Sequence, residues 1–206
     1  MPHAEALPQT APRLTAVLFG LSGCLVDFGA RTQGHGGHLA EHAETTPGAV
    51  ECLNSLQRQQ IPCAWLDELP ATISHTLAIA LPEWIKSSQH PATINPWPAP
   101  NACWQALMNL QVDRLEGCVL VSGEPRLLQS GLNAGLWTIG LASCGSLCGL
   151  APQEWQTLTQ LERDIKRARA TLQLFNLGVH SVIDHLGELD TCLADINLRR
   201  LKGEKP

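Results

Sequence analysis

Four short runs of apolar residues, separated by segments with helical spacing, constrain the fold of this chain more than any other feature. The runs are almost wholly apolar, so each is typical of a strand that is buried on both faces. They cover residues 14–19, 61–66, 118–123 and 136–142. Apolar residues recur with helical spacing at 47–56, 71–80, 104–110, 127–134, 153–177 and 186–201. This alternation predicts a three-layer α/β/α domain with a mainly parallel sheet.

The size and charge of the chain exclude several classes of function. Its 206 residues suit one domain, and we expect a flexible leader over 1–12 and a single domain over 13–206. A net charge of −5 gives no electrostatic reason to expect nucleic-acid binding. No apolar run approaches the ~20 residues of a membrane span and no signal-peptide pattern is present, so we expect a cytoplasmic protein without membrane contact. The eight cysteines lie within apolar segments, which indicates reduced core residues.

The first apolar run ends in a turn of small residues, Gly20-Leu21-Ser22-Gly23-Cys24. The end of a buried parallel strand is where an α/β protein places a nucleophile or a metal ligand, yet Gly20 carries no side chain. The backbone N–H groups of Ser22, Gly23 and Cys24 could still bind an anion such as phosphate. A Cys24 nucleophile would need an activating base, and no histidine is close in sequence. We interpret Asp27 as a residue that caps the following loop.

Three segments of the chain resemble a known family. They are "AVLFGLSGCLVDFG" at 16–29, "GLNAGLWTIGLASCGSLCGLAPQEW" at 131–155 and "FNLGVHSVIDHLGEL" at 175–189. Together they resemble the haloacid dehalogenase superfamily, and within it the phosphonatase (phosphonoacetaldehyde hydrolase) branch. The resemblance implies a Rossmann-like α/β/α core and a hydrolase fold.

At every position where the resemblance implies a catalytic group, this sequence differs. The nucleophilic aspartate corresponds to Gly20, and the position two residues later is Ser22. The two acidic Mg²⁺ ligands correspond to Gly123 and Leu127, and the basic residue corresponds to Trp97. Mg²⁺ requires oxygen ligands and in-line attack requires a nucleophile, so we expect neither a bound cofactor nor the family's chemistry.

Carboxylates and histidines outside these positions leave two further hypotheses open. Glu124 lies one residue from an implied metal ligand and could contribute to an anion or metal site, while Asp67 or Glu68 could rescue a metal site from the end of the second strand. The second hypothesis is a weaker metal site formed by three histidines of one polar segment. These are His35, His38 and His42, spaced as on one helical turn.

The resemblance also implies a helical cap domain after the first turn, which this chain has no room to contain. Residues 30–46 form a short polar segment without the lysine that the family's cap carries, so we expect a loop in place of an absent or vestigial cap. The glycines of this segment argue against a stable helix that would present the three histidines to a metal.

Three functions follow from these observations. The first is a pseudoenzyme: a cytosolic binding or regulatory protein with a protein partner, linked to phosphate or phosphonate metabolism and responsive to phosphate or a small phosphorylated ligand. The second is a non-standard hydrolase of a phosphate or phosphonate, using Ser22, Cys24 and Glu124. The third is a structural subunit of a larger assembly. We take the first as the working prediction.

Overall fold

The computed structural model describes residues 13–33, 42–88 and 95–206. Its centre is a six-stranded, all-parallel sheet with the strand order β3-β2-β1-β4-β5-β6. The strands are β1 (Ala16–Gly20), β2 (Cys63–Leu66), β3 (Lys86–Ser87), β4 (Cys118–Ser122), β5 (Trp137–Leu141) and β6 (Ser181–Ile183). Every residue of β1, β2, β4 and β5 is buried, as expected for strands covered on both faces.

Helices cover both faces of the sheet, which confirms the predicted three-layer α/β/α, Rossmann-like architecture. They are α1 (Ala49–Arg58), α2 (Ala71–Leu77), α3 (Asn101–Asn109), α4 (Pro125–Asn133), α5 (Pro152–Thr157), α6 (Gln160–Leu177) and α7 (Leu189–Leu201). On one face, Phe19 of β1 belongs to a core cluster that includes Leu53 of α1 and Ile196 of α7. On the other face, Leu18 packs in a cluster with Leu107 of α3.

Four details differ from the sequence prediction. The short edge strands β3 and β6 were not predicted, because neither contains a long apolar run. The segment 153–177 is mostly helical, as predicted, but is divided into two helices, since Thr159 begins α6 with a capping box. The last helix begins at Leu189, after a 3₁₀ turn at Leu186–Glu188, and not at 186. The first strand begins at Ala16, two residues later than expected.

Some sequence-based predictions concern residues that the structure does not describe. The leader 1–12 lies outside the described residues, and so does 34–41 within the predicted loop 30–46. In the described part of that loop, Arg31–Gln33 forms a 3₁₀ turn and Thr45 makes an antiparallel bridge with Val26. All eight cysteines are free and buried, as predicted. Among the described residues, no helix is long and apolar enough to cross a membrane.

Candidate functional site at the carboxyl edge of the sheet

The carboxyl ends of β1 and β4 bring three of the sequence-predicted positions together. A β-carbon at Gly20 would lie 2.7 Å from Ser122 Oγ and 3.4 Å from Leu127 Cδ2. Real β-carbons do not approach another heavy atom this closely, so the Ser122 hydroxyl occupies the space that a side chain at position 20 requires. Leu127 is fully buried in the core and offers no polar atom here.

The loops that follow β1, β4 and β5 touch through their backbones. A β-carbon at Gly123 would lie 2.3 Å from the Gly23 carbonyl oxygen and 2.4 Å from Gly145 Cα. A β-carbon at Gly145 would likewise meet the Gly123 carbonyl oxygen at 2.5 Å. Ser146 donates its backbone N–H to the same Gly123 oxygen at 3.2 Å, which holds the loops in this position. There is no room for a carboxylate side chain at position 123.

Two of the three backbone N–H groups suggested for an anion, those of Ser22 and Gly23, have partners within the chain. Ser22 donates its N–H to Asp67 Oδ2 at 3.3 Å, and Gly23 donates its N–H to the Val26 carbonyl oxygen at 2.9 Å. The Ser22 hydroxyl donates to Asp27 Oδ2 at 2.6 Å. A carboxylate of the protein therefore already accepts a hydrogen bond from the turn that the sequence suggested for an anion.

Asp67 follows β2 and is buried against this turn. Its second oxygen, Oδ1, accepts the Leu69 N–H at 2.8 Å. The pKa of the Asp67 carboxyl is raised from its usual 3.8 to about 6, chiefly by burial and to a smaller extent by nearby Asp27, while the N–H donors of Leu69 and Ser22 oppose the rise. Sequence reasoning placed Asp67 at the correct edge of the sheet, although its partner Ser22 is 45 residues away.

Asp27 caps the loop that leaves the turn, as predicted. It has a left-handed backbone with φ of 56°, and its carboxylate accepts the N–H groups of Arg31 and Thr32, each at 3.1 Å. His42 Nδ1 lies 3.2 Å from Asp27 Oδ1, a salt bridge when the imidazole is protonated. The other two histidines of the proposed metal site, His35 and His38, lie outside the described residues.

Glu68, Arg126 and Trp97 form a second polar cluster beside the first. Arg126 Nη1 lies 3.1 Å from Glu68 Oε2, and the same guanidinium donates to the Trp97 carbonyl oxygen. Trp97 donates its backbone N–H to Glu68 Oε1 at 2.5 Å. Its ring is buried in the core cluster that contains Leu66 and Leu127. Sequence reasoning missed Arg126, because nothing local shows that residues 68 and 126 meet.

Two residues of the hydrolase hypothesis have structural roles. Glu124 is the N-cap of α4, where its side chain accepts the Arg126 N–H at 3.1 Å. Cys24 donates its thiol to the Val121 carbonyl oxygen at 3.4 Å, and complete burial raises the pKa of that thiol well above its usual value. Burial therefore opposes the thiolate that a nucleophilic cysteine requires.

The donor groups at this edge do not match a Mg²⁺ site. Mg²⁺ prefers an octahedron of oxygen ligands, and Gly20, Gly123 and Leu127 supply no side-chain oxygen. Both carboxylate oxygens of Asp67 already accept backbone N–H groups. Among the described residues, no group of three histidine, cysteine, aspartate or glutamate side chains could hold a metal ion.

Comparison with curated proteins identifies relatives along most of the chain. Phosphonoacetaldehyde hydrolase of Salmonella enteritidis PT4 is 30% identical over 178 residues, which cover 82% of this chain and 64% of that protein. The enzyme of the same name from Klebsiella pneumoniae is 36% identical over 126 residues, covering 60% of this chain and 45% of the relative. The chain thus spans less than two thirds of the length of these relatives. No family model matches it.

Solved structures share the fold. One crystal structure is 61% identical, with a TM-score of 0.91 over 94% of this chain and 100% of that chain. The phosphonoacetaldehyde hydrolase-like protein of Oleispira antarctica is 21% identical, with a TM-score of 0.86 over 98% of this chain and 99% of that chain, a likeness of fold alone. The phosphonoacetaldehyde hydrolases are therefore sequence relatives of this chain, and its α/β/α core has the fold of these solved structures, which supports a relationship to the phosphonatase-like haloacid dehalogenase hydrolases.

Proposed function

We propose that this chain is a phosphonatase-like pseudoenzyme, a cytoplasmic binding or regulatory protein that acts through contacts with a protein partner. The observation that carries the proposal is the crowding at Gly20 and Gly123. These two positions would have to hold the nucleophile and an acidic metal ligand. A β-carbon would collide with the Ser122 hydroxyl at Gly20 and with the backbone of two neighbouring loops at Gly123. The proposed loss of activity therefore involves both the two missing side chains and the space that they would need.

Loss of the family's Mg²⁺ is part of the same proposal. A bound metal would neutralise the charge that develops on a transferring phosphoryl group, and Gly20, Gly123 and Leu127 supply no side-chain ligand for one. The nearby guanidinium, that of Arg126, is already paired with Glu68. The eight free, buried cysteines support a reducing compartment such as the cytoplasm.

The phosphate response suggested by the retained turn is weakened by Asp67. A phosphate group at Ser22 must displace a carboxylate that accepts the same N–H group, and above pH 6 it must also approach a negative charge. We therefore propose that protein contacts, rather than phosphate binding at this turn, carry the function.

A second candidate is a hydrolase with a non-standard site, and the observation that favours it is Asp67. A buried carboxyl with a pKa of about 6, joined through Ser22 to a second buried carboxylate, has the ionisation expected of a general acid or base. Cys24 is buried and Glu124 caps α4. The attacking group in this candidate would therefore be the Ser22 hydroxyl, which lies 2.6 Å from Asp27 Oδ2, or a water molecule.

Phosphate release decides between these two candidates. The purified chain is incubated with phosphonoacetaldehyde and with p-nitrophenyl phosphate, with and without Mg²⁺, beside the Asp67→Asn variant and a matched Asp113→Asn control on the exposed surface. We expect the same background rate from all three proteins. Turnover that Asp67→Asn abolishes and Asp113→Asn retains would overturn the pseudoenzyme proposal in favour of the hydrolase.

A further inference from the structure

Helix α6 carries an exposed apolar stripe on the side that faces away from the core. Leu161, Ile165, Leu172 and Phe175 are 69%, 53%, 62% and 51% exposed. With the exposed Ala168 they follow one another at intervals of four, three, four and three residues, which is the a/d spacing of a coiled coil. Exposed apolar side chains that share one face of a helix are typical of a surface that packs against another helix.

The buried side of α6 lies opposite the stripe. Ala170 and Leu174 are buried, and Leu174 packs on β5 so closely that a β-carbon at Gly140 would lie 3.0 Å from Leu174 Cδ1. At 100° per residue these two side chains point about 180° from the stripe. The stripe is therefore not a displaced part of the core, and the sheet side of α6 is complete without it.

The charges beside the stripe make it complementary to itself. Glu162 and Arg169 lie on the same flank, seven residues apart, and so two turns apart along the helix. If two copies of α6 pack antiparallel about a two-fold axis, the same flanks face each other. Glu162 of each copy then lies beside Arg169 of the other, which gives two opposite-charge pairs in one contact.

Side-chain size agrees with the same alignment. When Glu162 faces Arg169, Leu161 of one copy lies opposite Leu172 of the other, and bulky Ile165 lies opposite small Ala168. Large residues facing small ones are what interdigitating helices require. In the antiparallel arrangement the N-terminus of each helix, with its partial positive charge, lies beside the partially negative C-terminus of the other. A parallel pair would bring ends of like charge together.

The charged groups needed for the contact are available. Arg169 forms no ion pair with any other part of the chain that the structure describes, it is exposed, and its position on the helix is about 80° from the centre of the stripe. Glu162 uses Oε2 in its capping box with Thr159, which leaves Oε1 for a partner. By contrast Asp164, on the opposite flank, is already 2.8 Å from Arg167.

We propose that the α6 stripe binds a second copy of this chain in an antiparallel, two-fold symmetric contact, making the protein a dimer. The proposal is independent of whether the carboxyl edge of the sheet is catalytic. The contact is limited to one helix about 27 Å long. Because so small a contact is typical of weak association, we expect a reversible dimer with a dissociation constant on the order of 10 µM.

The first test measures the dissociation constant of the dimer by sedimentation equilibrium up to about 200 µM, well above the expected value. We expect a species of twice the 22.3-kDa chain mass. Leu172→Glu should weaken the dimer by at least roughly 100-fold, because the two-fold axis places the new charge in the contact twice. The matched control is Ile79→Glu, at an exposed apolar residue away from α6, which should leave the dimer unchanged.

A charge exchange tests the antiparallel register. Arg169→Glu and Glu162→Arg should each weaken self-association, since both place like charges together, while Lys166→Glu on the same helix should not. An equal mixture of the two weakened variants should dimerise again, because both pairs then have opposite charges. A monomer at 200 µM, a dimer that tolerates Leu172→Glu, or a mixture that stays monomeric would each overturn the proposal.

Discussion

The Ser122 hydroxyl lies in the space that a side chain at Gly20 would need, and the energetic cost of this crowding can be measured. Gly20→Ala should lower the free energy of unfolding by about 2 kcal/mol, because the new β-carbon meets Ser122 Oγ at 2.7 Å. Ser122→Ala removes that oxygen, so in its background the same change should cost about 1 kcal/mol less. Urea unfolding of the four proteins in the cycle measures this coupling energy.

A control separates crowding from the general cost of adding a methyl group. Gly135 has a left-handed φ of 75°, and a β-carbon there would meet nothing within 4 Å. Gly135→Ala should therefore lose only the backbone term, about 1 kcal/mol, with or without Ser122→Ala. Additive effects at Gly20 and Ser122 would contradict the steric explanation for the missing nucleophile.

Asp67 gives the protein a pH dependence of known sign. Its pKa rises from 3.8 in the unfolded chain to about 6 in the folded one, so folding takes up a proton between these values. Stability from this group is therefore greatest at acid pH and falls as pH rises from about 4 to about 6. The cost at neutral pH is at most on the order of 3 kcal/mol.

The contribution of Asp67 is separated from that of the other carboxylates by comparing the pH dependence of stability in the wild type and in Asp67→Asn. The free energy of unfolding of Asp67→Asn should change less than that of the wild type between about pH 4 and 6.5. That of Asp113→Asn, at an exposed side chain, should follow the wild type. Parallel curves for the wild type and Asp67→Asn would mean that Asp67 ionises at its usual pKa despite its burial.

At the scale of elements, the break between α5 and α6 has an identifiable cause. Thr159 accepts the Glu162 N–H at 3.3 Å, and Glu162 in turn accepts the Thr159 N–H at 2.8 Å. Thr159→Ala should lower the free energy of unfolding by about 1 kcal/mol. The matched Thr171→Ala, in the middle of α6, should be neutral or slightly stabilising, because alanine is the better helix former. Urea unfolding at one fixed protein concentration compares the two.

The elements that sequence reasoning found are those whose own residues define them. The four apolar runs became β1, β2, β4 and β5, because a strand buried on both faces must be apolar throughout. The edge strands β3 and β6 have two and three residues, and their pairing depends on neighbours distant in sequence. The boundary between α5 and α6 at Thr159 could have been predicted from the sequence. Thr159 is followed three residues later by Glu162, which is a capping-box pattern.

At the scale of the whole molecule, the location of the site at one edge of the sheet could be predicted, but the contacts within it could not. Gly20 was placed at the carboxyl edge of the sheet because it follows a buried apolar run, and the family resemblance placed Gly123 and Leu127 at the same edge. The backbone of Gly123 contacts that of Gly23 and Gly145. No local sequence pattern predicts this contact, because it depends on how three loops pack against one another. For the same reason the Asp67 contact with Ser22 appears only in the folded chain.

The proposed loss of the Mg²⁺ site can be tested on the stability of the whole molecule. A ligand that binds only the folded state raises its stability by RT ln(1 + [L]/Kd), or about 2.7 kcal/mol when the ligand is 100-fold above its Kd. For a chain of this length that gain raises Tm by several degrees. We expect about 10 mM MgCl₂, with or without phosphate at pH 7.5, to move Tm by less than about 1 °C relative to NaCl of equal ionic strength. A magnesium-dependent rise of several degrees that EDTA reverses would place a metal site on this chain, and Asp67→Asn would then report whether that carboxylate holds the ion.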